Sequence, residues 1–292
     1  MKPIYKVIIA ALLSSPLAMS QNTPPAAKPG APTQTTTAPA NLTVSQRHGQ
    51  PQAKTKEEFA AYQAATAIED PTAGLTAADQ FAEKYPQSEL RYVLYSQLLQ
   101  KFYGANLSSK VVEAGHKLLA IEPEDALAKI MVASALAETT HDTDLDQDEK
   151  YSEALKDADS AVKNLDTGLV VSPQMTPERI AAVKHQLSAM AYSSMGYIEL
   201  SRKNYALSEQ HFKNAIAANP EQPDATNFLR LAVAQDNLAH YSDAMANVDK
   251  ALQLGQTENN AQIVSIAKNE KDRLTKLAAA VPKATTPPPP KQ

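Results

Sequence analysis

Tyr205-Ala206-Leu207-Ser208-Glu209-Gln210-His211-Phe212-Lys213-Asn214-Ala215-Ile216-Ala217-Ala218-Asn219-Pro220 decides the fold. Starting at Tyr205, Ser208, Phe212 and Ala215 fall three, seven and ten residues on, so all four lie along one face of a helix that ends before Pro220. The spacing returns elsewhere. Tyr241, Ala244, Val248 and Ala251 repeat it, as do Tyr151, Ala154, Ala158 and Ala161. Ser108, Val111, Gly115 and Leu118 form a weaker copy, closed by Pro123 as Tyr205 is closed by Pro220. The small positions let two helices approach closely, and the large ones fill the gap to the next pair.

The preceding stretch supplies a partner helix. Tyr192, Met195 and Gly196 stand ahead of Tyr205, and Phe228, Leu231 and Ala232 stand ahead of Tyr241. With these positions filled, the chain resembles the tetratricopeptide repeat family, in an exported bacterial form. The resemblance covers most of residues 54–281. It implies an all-α fold, a right-handed superhelix of antiparallel helix pairs whose first helices line a concave side. Five pairs are expected: 56–68 with 72–84, 88–103 with 107–120, 124–139 with 146–164, 177–201 with 205–218, and 224–238 with 241–254. A more polar helix over 258–280 serves as the C-terminal cap. Insertions at 140–150 and 165–175 stretch the regular period. Thr55 with Glu58 forms a capping box, and Thr176 before Pro177 an N-cap.

The ends read differently. Lys2 and Lys6, the apolar run 7–13 and the small residues Ala18 and Ser20 make 1–20 a secretory signal peptide. Residues 21–53 are a Pro/Thr/Ala-rich disordered linker, and 282–292 a disordered Pro-rich tail. The folded module is 54–281. Most of the 20 prolines lie in those ends, and the others sit between apolar-periodic runs. These readings give an exported chain, periplasmic or secreted, with no stable membrane insertion after signal cleavage.

Composition narrows the chemistry. The chain has no Cys, which removes disulfides, thiolate metal sites and a cysteine nucleophile. A net charge of −4 over 292 residues argues against nucleic acid as a partner. No phosphate loop, dinucleotide fingerprint or nucleophile elbow is present, so no catalytic residue and no cofactor is expected. Asp142, Asp144, Asp146, Asp148 and Glu153 follow the spacing of a calcium loop. Gln147 stands where that loop needs Gly, which favours an acidic inter-helix loop leading into a helix N-terminus. The function expected is therefore a non-enzymatic scaffold or adaptor holding another protein's peptide or helix. Its groove residues would come from first helices: Tyr92 and Gln97, Ser193 and Tyr197, and Asn227, Arg230 and Asp236. Calcium clipping of the acidic loop and binding through the Pro-rich ends are the alternatives.

Overall fold

A computed structural model describes residues 51–172 and 174–280. The signal peptide, most of the linker and the tail lie outside them. Twelve helices and no strands occur among the described residues: α1 (Lys56–Thr66), α2 (Pro71–Lys84), α3 (Leu90–Gly104), α4 (Ser108–Leu119), α5 (Ala126–Thr139), α6 (Gln147–Lys163), α7 (Leu165–Gly168), α8 (Pro177–Ser201), α9 (Tyr205–Ala218), α10 (Ala225–Asn237), α11 (Tyr241–Thr257) and α12 (Ala261–Ala280). Apart from the one-turn α7, they fall where the apolar periodicity places them, to within about three residues at each end. The chain forms two compact units, the first ending at Leu187 and the second beginning at Ser188, inside α8.

In the first unit α1 to α6 pack each against the next, and α1 also meets α3 while α3 meets α5. In the second unit α9 to α12 do the same, with α10 meeting α12. This is the pattern of a TPR-like helical array, in which each hairpin leans on its neighbours. The small-large-small face is its core. Ala154, Ala158 and Ala161 of α6, Ser208, Phe212 and Ala215 of α9, Ala244, Val248 and Ala251 of α11, and Val111, Gly115 and Leu118 of α4 are all buried. Gly115 of α4 and Gly196 of α8 stand where a packed side chain leaves no room for a Cβ. A Cβ on Gly115 would lie 2.2 Å from Val132 Cγ2, and one on Gly196 2.9 Å from the Phe212 ring.

The opening position behaves differently from the expectation of four equivalent residues. Tyr205 and Tyr241 begin their helices and are half-buried. Tyr151 is the fifth residue of α6, 1% exposed, and its hydroxyl donates to the Thr140 carbonyl at 3.3 Å. The acidic segment ahead of it adds a helical turn, so the ring enters the interior. Pro220, expected to close a repeat, is exposed in the turn beyond α9.

Four hairpin turns share one geometry. Asn106, Lys203, Ala239 and Asn259 each take positive φ, between 53° and 62°. At each turn the N–H of the following residue donates five residues back, as Leu107 does to the Phe102 carbonyl and His240 to Gln235. The positive-φ residue donates three back, as Asn106 does to Tyr103 and Ala239 to Asp236. Both bonds together are a Schellman motif, and the next helix starts at once. No glycine supplies the left-handed residue. Ala239 carries the steric cost of Cβ there, about 1–2 kcal/mol, against the extra freedom that Gly has when unfolded. Ala239→Gly is expected to raise stability by about 0.5–1 kcal/mol in urea melts. A loss would mean the turn is not held left-handed.

Candidate functional site

First helices meet through side chains about one repeat apart. In the first unit the Tyr92 hydroxyl donates to Asp125 Oδ2 at 2.6 Å, 33 residues away, and Gln97 lies beside the Tyr62 hydroxyl. Tyr103 near the end of α3 feels the charge of Glu138 on α5, and burial, with that charge second, pushes its hydroxyl up to about 12. In the second unit Ser193 Oγ donates to Asn227 Oδ1 at 2.6 Å, 34 residues away. Beside it, the Arg230 guanidinium lies over the Tyr197 ring, 4.4 Å from its centroid. A cation–π contact of this kind contributes about 0.5–1 kcal/mol.

Six of the seven groove residues expected from sequence thus belong to seams between successive first helices. They are not equally accessible. Tyr92 and Asn227 are each 4% exposed, so they lie inside the seams and do not line a surface. Their polar ends are what a helix-to-helix contact with few apolar atoms needs: buried groups that satisfy each other. Burial first, and then the Asp125 charge, hold the Tyr92 hydroxyl well above its usual range. Gln97, Ser193, Tyr197 and Arg230 are half-buried and retain some exposed surface. Asp236 is held elsewhere, by Arg273 of α12 at 2.5 Å. Its role is to fasten the last helix.

Polar groups between first and second helices fix the hairpins. Gln235, 1% exposed, donates to Glu209 Oε1 at 3.1 Å and accepts from Asn247 at 2.7 Å. Burial raises the Glu209 carboxyl, but Lys213 at 2.7 Å, Gln235 and His240 outweigh it and bring it below its usual range. In the first unit Lys129, 7% exposed, donates to Ser160 Oγ at 2.8 Å.

The acidic loop does not gather its carboxylates around one point. Lys150 stands 3.2 Å from Asp144 and 2.8 Å from Asp146, and the Gln147 amide donates to Asp142 at 3.1 Å. Glu153 pairs with His116 at 2.6 Å. The His141 N–H, and then Lys150, hold the Asp144 carboxyl below its usual range. Among the described residues no three acidic or imidazole side chains are placed to share a metal ion. Asp148 lies in the first turn of α6, where a carboxylate suits the helix N-terminus.

A different feature was not expected. The insertion over 165–175 holds a short helix, α7, followed by an extended segment whose Val170 lies beside Tyr92, Ser96 and Gln100 of α3 and Leu127 of α5. The signal for it is present: Leu165, Leu169, Val170 and Val171 are too apolar for a solvated loop.

No helix of the described residues is long and apolar enough to cross a membrane. No protein-family model and no curated protein matches the chain. Among solved structures it is similar to the crystal structure of a thermophilic TPR protein of Thermus thermophilus, at 17% identity over 73% of this chain and 98% of that one, with a TM-score of 0.42.

Proposed function

We propose that this protein is a non-enzymatic interaction scaffold, exported to the cell envelope, that holds a peptide or helix of a partner protein along the faces of its first helices. The observation that carries the reading is the repeated seam. Side chains about 34 residues apart set successive first helices side by side, and in the second unit they leave Ser193, Tyr197 and Arg230 half-buried. A cluster of half-buried hydroxyl, aromatic and guanidinium groups on neighbouring helices suits side-chain recognition of another polypeptide. The composition of the ends supports the compartment. A cleavable leader would bring the chain across the membrane, and a Pro-rich linker of some thirty residues would reach roughly 90 Å at about 3 Å per residue.

The test is capture by the immobilised chain from Gln21 onward, offered solubilised envelope and, separately, cytosol. Specific retention from the envelope fraction is expected. Tyr197→Ala with Arg230→Ala should lower that retention at least tenfold while helix content and melting stay close to wild type. A well-folded double variant that keeps every partner undiminished would remove the proposed binding face.

A further inference from the structure

Where α3 meets the start of α5, one polar contact is complete and the groups next to it are not. The Tyr92 hydroxyl donates to Asp125 Oδ2, and Asp125 Oδ1 accepts from the Ala128 N–H. One helical turn beyond Tyr92, Ser96 is 4% exposed and stands beside the Tyr92 hydroxyl, yet its own oxygen accepts no hydrogen bond from the described residues. A further turn on, Gln100 Nε2 is sealed from solvent and has no hydrogen-bond partner among the described residues. Ser96 and Gln100 are four residues apart, so they share one face of α3. Both line the same narrow cleft, with Asp125 on another part of its wall. Leu99, Leu118 and Val170 make the rest of that wall apolar.

Native interiors satisfy nearly all buried donors and acceptors, with protein or with ordered water, because a bare one carries its full desolvation cost. Ser96 and Gln100 do not bond each other, although they face the same space. The apolar walls offer them nothing. What suits both is a small molecule that accepts from an amide N–H and donates to a hydroxyl oxygen at once. Water does so. The free space between the walls is about the size of one water molecule, and a buried water needs two to four polar partners. Ser96 Oγ and Gln100 Nε2 are two, and the Asp125 carboxylate is a third polar neighbour.

We propose that the seam between α3 and α5 contains a binding site for one ordered water, which accepts from Gln100 Nε2, donates to Ser96 Oγ and is a fixed part of the fold. The water extends the polar line that Tyr92 and Asp125 begin, so this seam is joined partly through solvent. In the second unit the corresponding seam closes directly, Ser193 Oγ on Asn227 Oδ1 at 2.6 Å. Every residue of the water site belongs to the first unit. The site stands whether or not the chain is a scaffold.

The test is a double-mutant cycle in the full chain, read by urea unfolding. Gln100→Met keeps the length of the side chain and removes its amide, and Ser96→Ala removes only the hydroxyl. A bare buried amide is a defect, so without the water Gln100→Met would leave the protein as stable as wild type or more so. With the water, each single variant should raise the unfolding equilibrium constant roughly fivefold or more. The double variant should raise it hardly further than either single one, because each change alone already breaks the bridge. A Gln100→Met protein at least as stable as wild type, or losses that simply add, overturns the proposal. A crystal structure of the wild type makes the test independent of the variants. It should show a water within about 2.7–3.2 Å of both Gln100 Nε2 and Ser96 Oγ. No water between those two atoms, in density that defines both side chains, overturns the proposal as well.

Discussion

Replacing Phe212 with Ala is expected to cost about 3–5 kcal/mol, the range for truncating a fully buried aromatic side chain. Phe212 is 0% exposed, and its ring lies directly against the Gly196 backbone, where nothing larger than hydrogen fits. Ser208 Oγ donates to the Gly196 carbonyl at 2.9 Å and sets the helices at that separation, so the cavity has little freedom to collapse. Urea unfolding followed by circular dichroism checks the magnitude. Leu207→Ala, five residues earlier on the exposed side at 47% exposure, serves as the control and should cost under about 0.5 kcal/mol. The pairing gives a sharper check. Gly196→Ala should destabilise the wild type by about 1–3 kcal/mol, because its methyl meets the ring, and far less in the Phe212→Ala background, where the methyl has room. Additive losses would mean that the two residues do not meet.

The hairpins were legible because their core is written in side-chain size. At three, seven and ten residues after each opening position the sequence holds small, large and small residues, and these are the buried ones in α6, α9 and α11. Such a face has no alternative use, so periodicity alone locates it. The turns were less legible. Their left-handed residues are Asn106, Lys203, Ala239 and Asn259, and two of those four positions hold residue types that carry no turn preference. There the chain is bent by the packing of the hairpin on either side, which overrides local propensity. Tyr151 shows a third case. It keeps the repeat's identity but moves inward, because α6 begins four residues earlier than its counterparts begin.

The first-helix side chains were legible as a set but not in their exposure. Sequence marks Tyr92, Ser193, Asn227 and Arg230 as polar or aromatic residues that the hairpin core does not use. Whether such a residue faces solvent or a neighbouring first helix depends on a contact about one repeat away, which periodicity within one helix does not report. Tyr92 and Asn227 turn inward because Asp125 and Ser193 are there to pair with them. The extended segment beside α3 and α5 went unread for a related reason. An extended segment of four residues has no periodicity, and its apolar composition says only that something covers it.

Asp125→Ala tests that dependence most directly, with an expected loss of about 2–4 kcal/mol. Asp125 is 3% exposed and does two jobs with its two oxygens. Oδ1 accepts from the Ala128 N–H at 2.8 Å as the N-cap of α5, and Oδ2 accepts from the Tyr92 hydroxyl at 2.6 Å. Losing the cap costs about 1 kcal/mol. Losing the acceptor removes the charged partner of a buried hydroxyl and leaves it with Ser96, which costs about 1–3 kcal/mol more. Asp125→Asn separates the two, since its amide oxygen still caps the helix and the hydroxyl can turn to accept from the amide nitrogen. It should cost about 1 kcal/mol or less. The pH dependence has a definite sign. Because the Tyr92 hydroxyl is held above its ordinary value of 10 in the folded state, the unfolded chain gives up that proton first. Its contribution is complete below about pH 10 and declines as pH rises beyond it. Tyr92→Phe should therefore be the less stable protein at about pH 7 and should lose less of its stability than wild type between about pH 10 and 11. A parallel decline in both proteins would place the alkaline sensitivity on other tyrosines and free the seam from this bond.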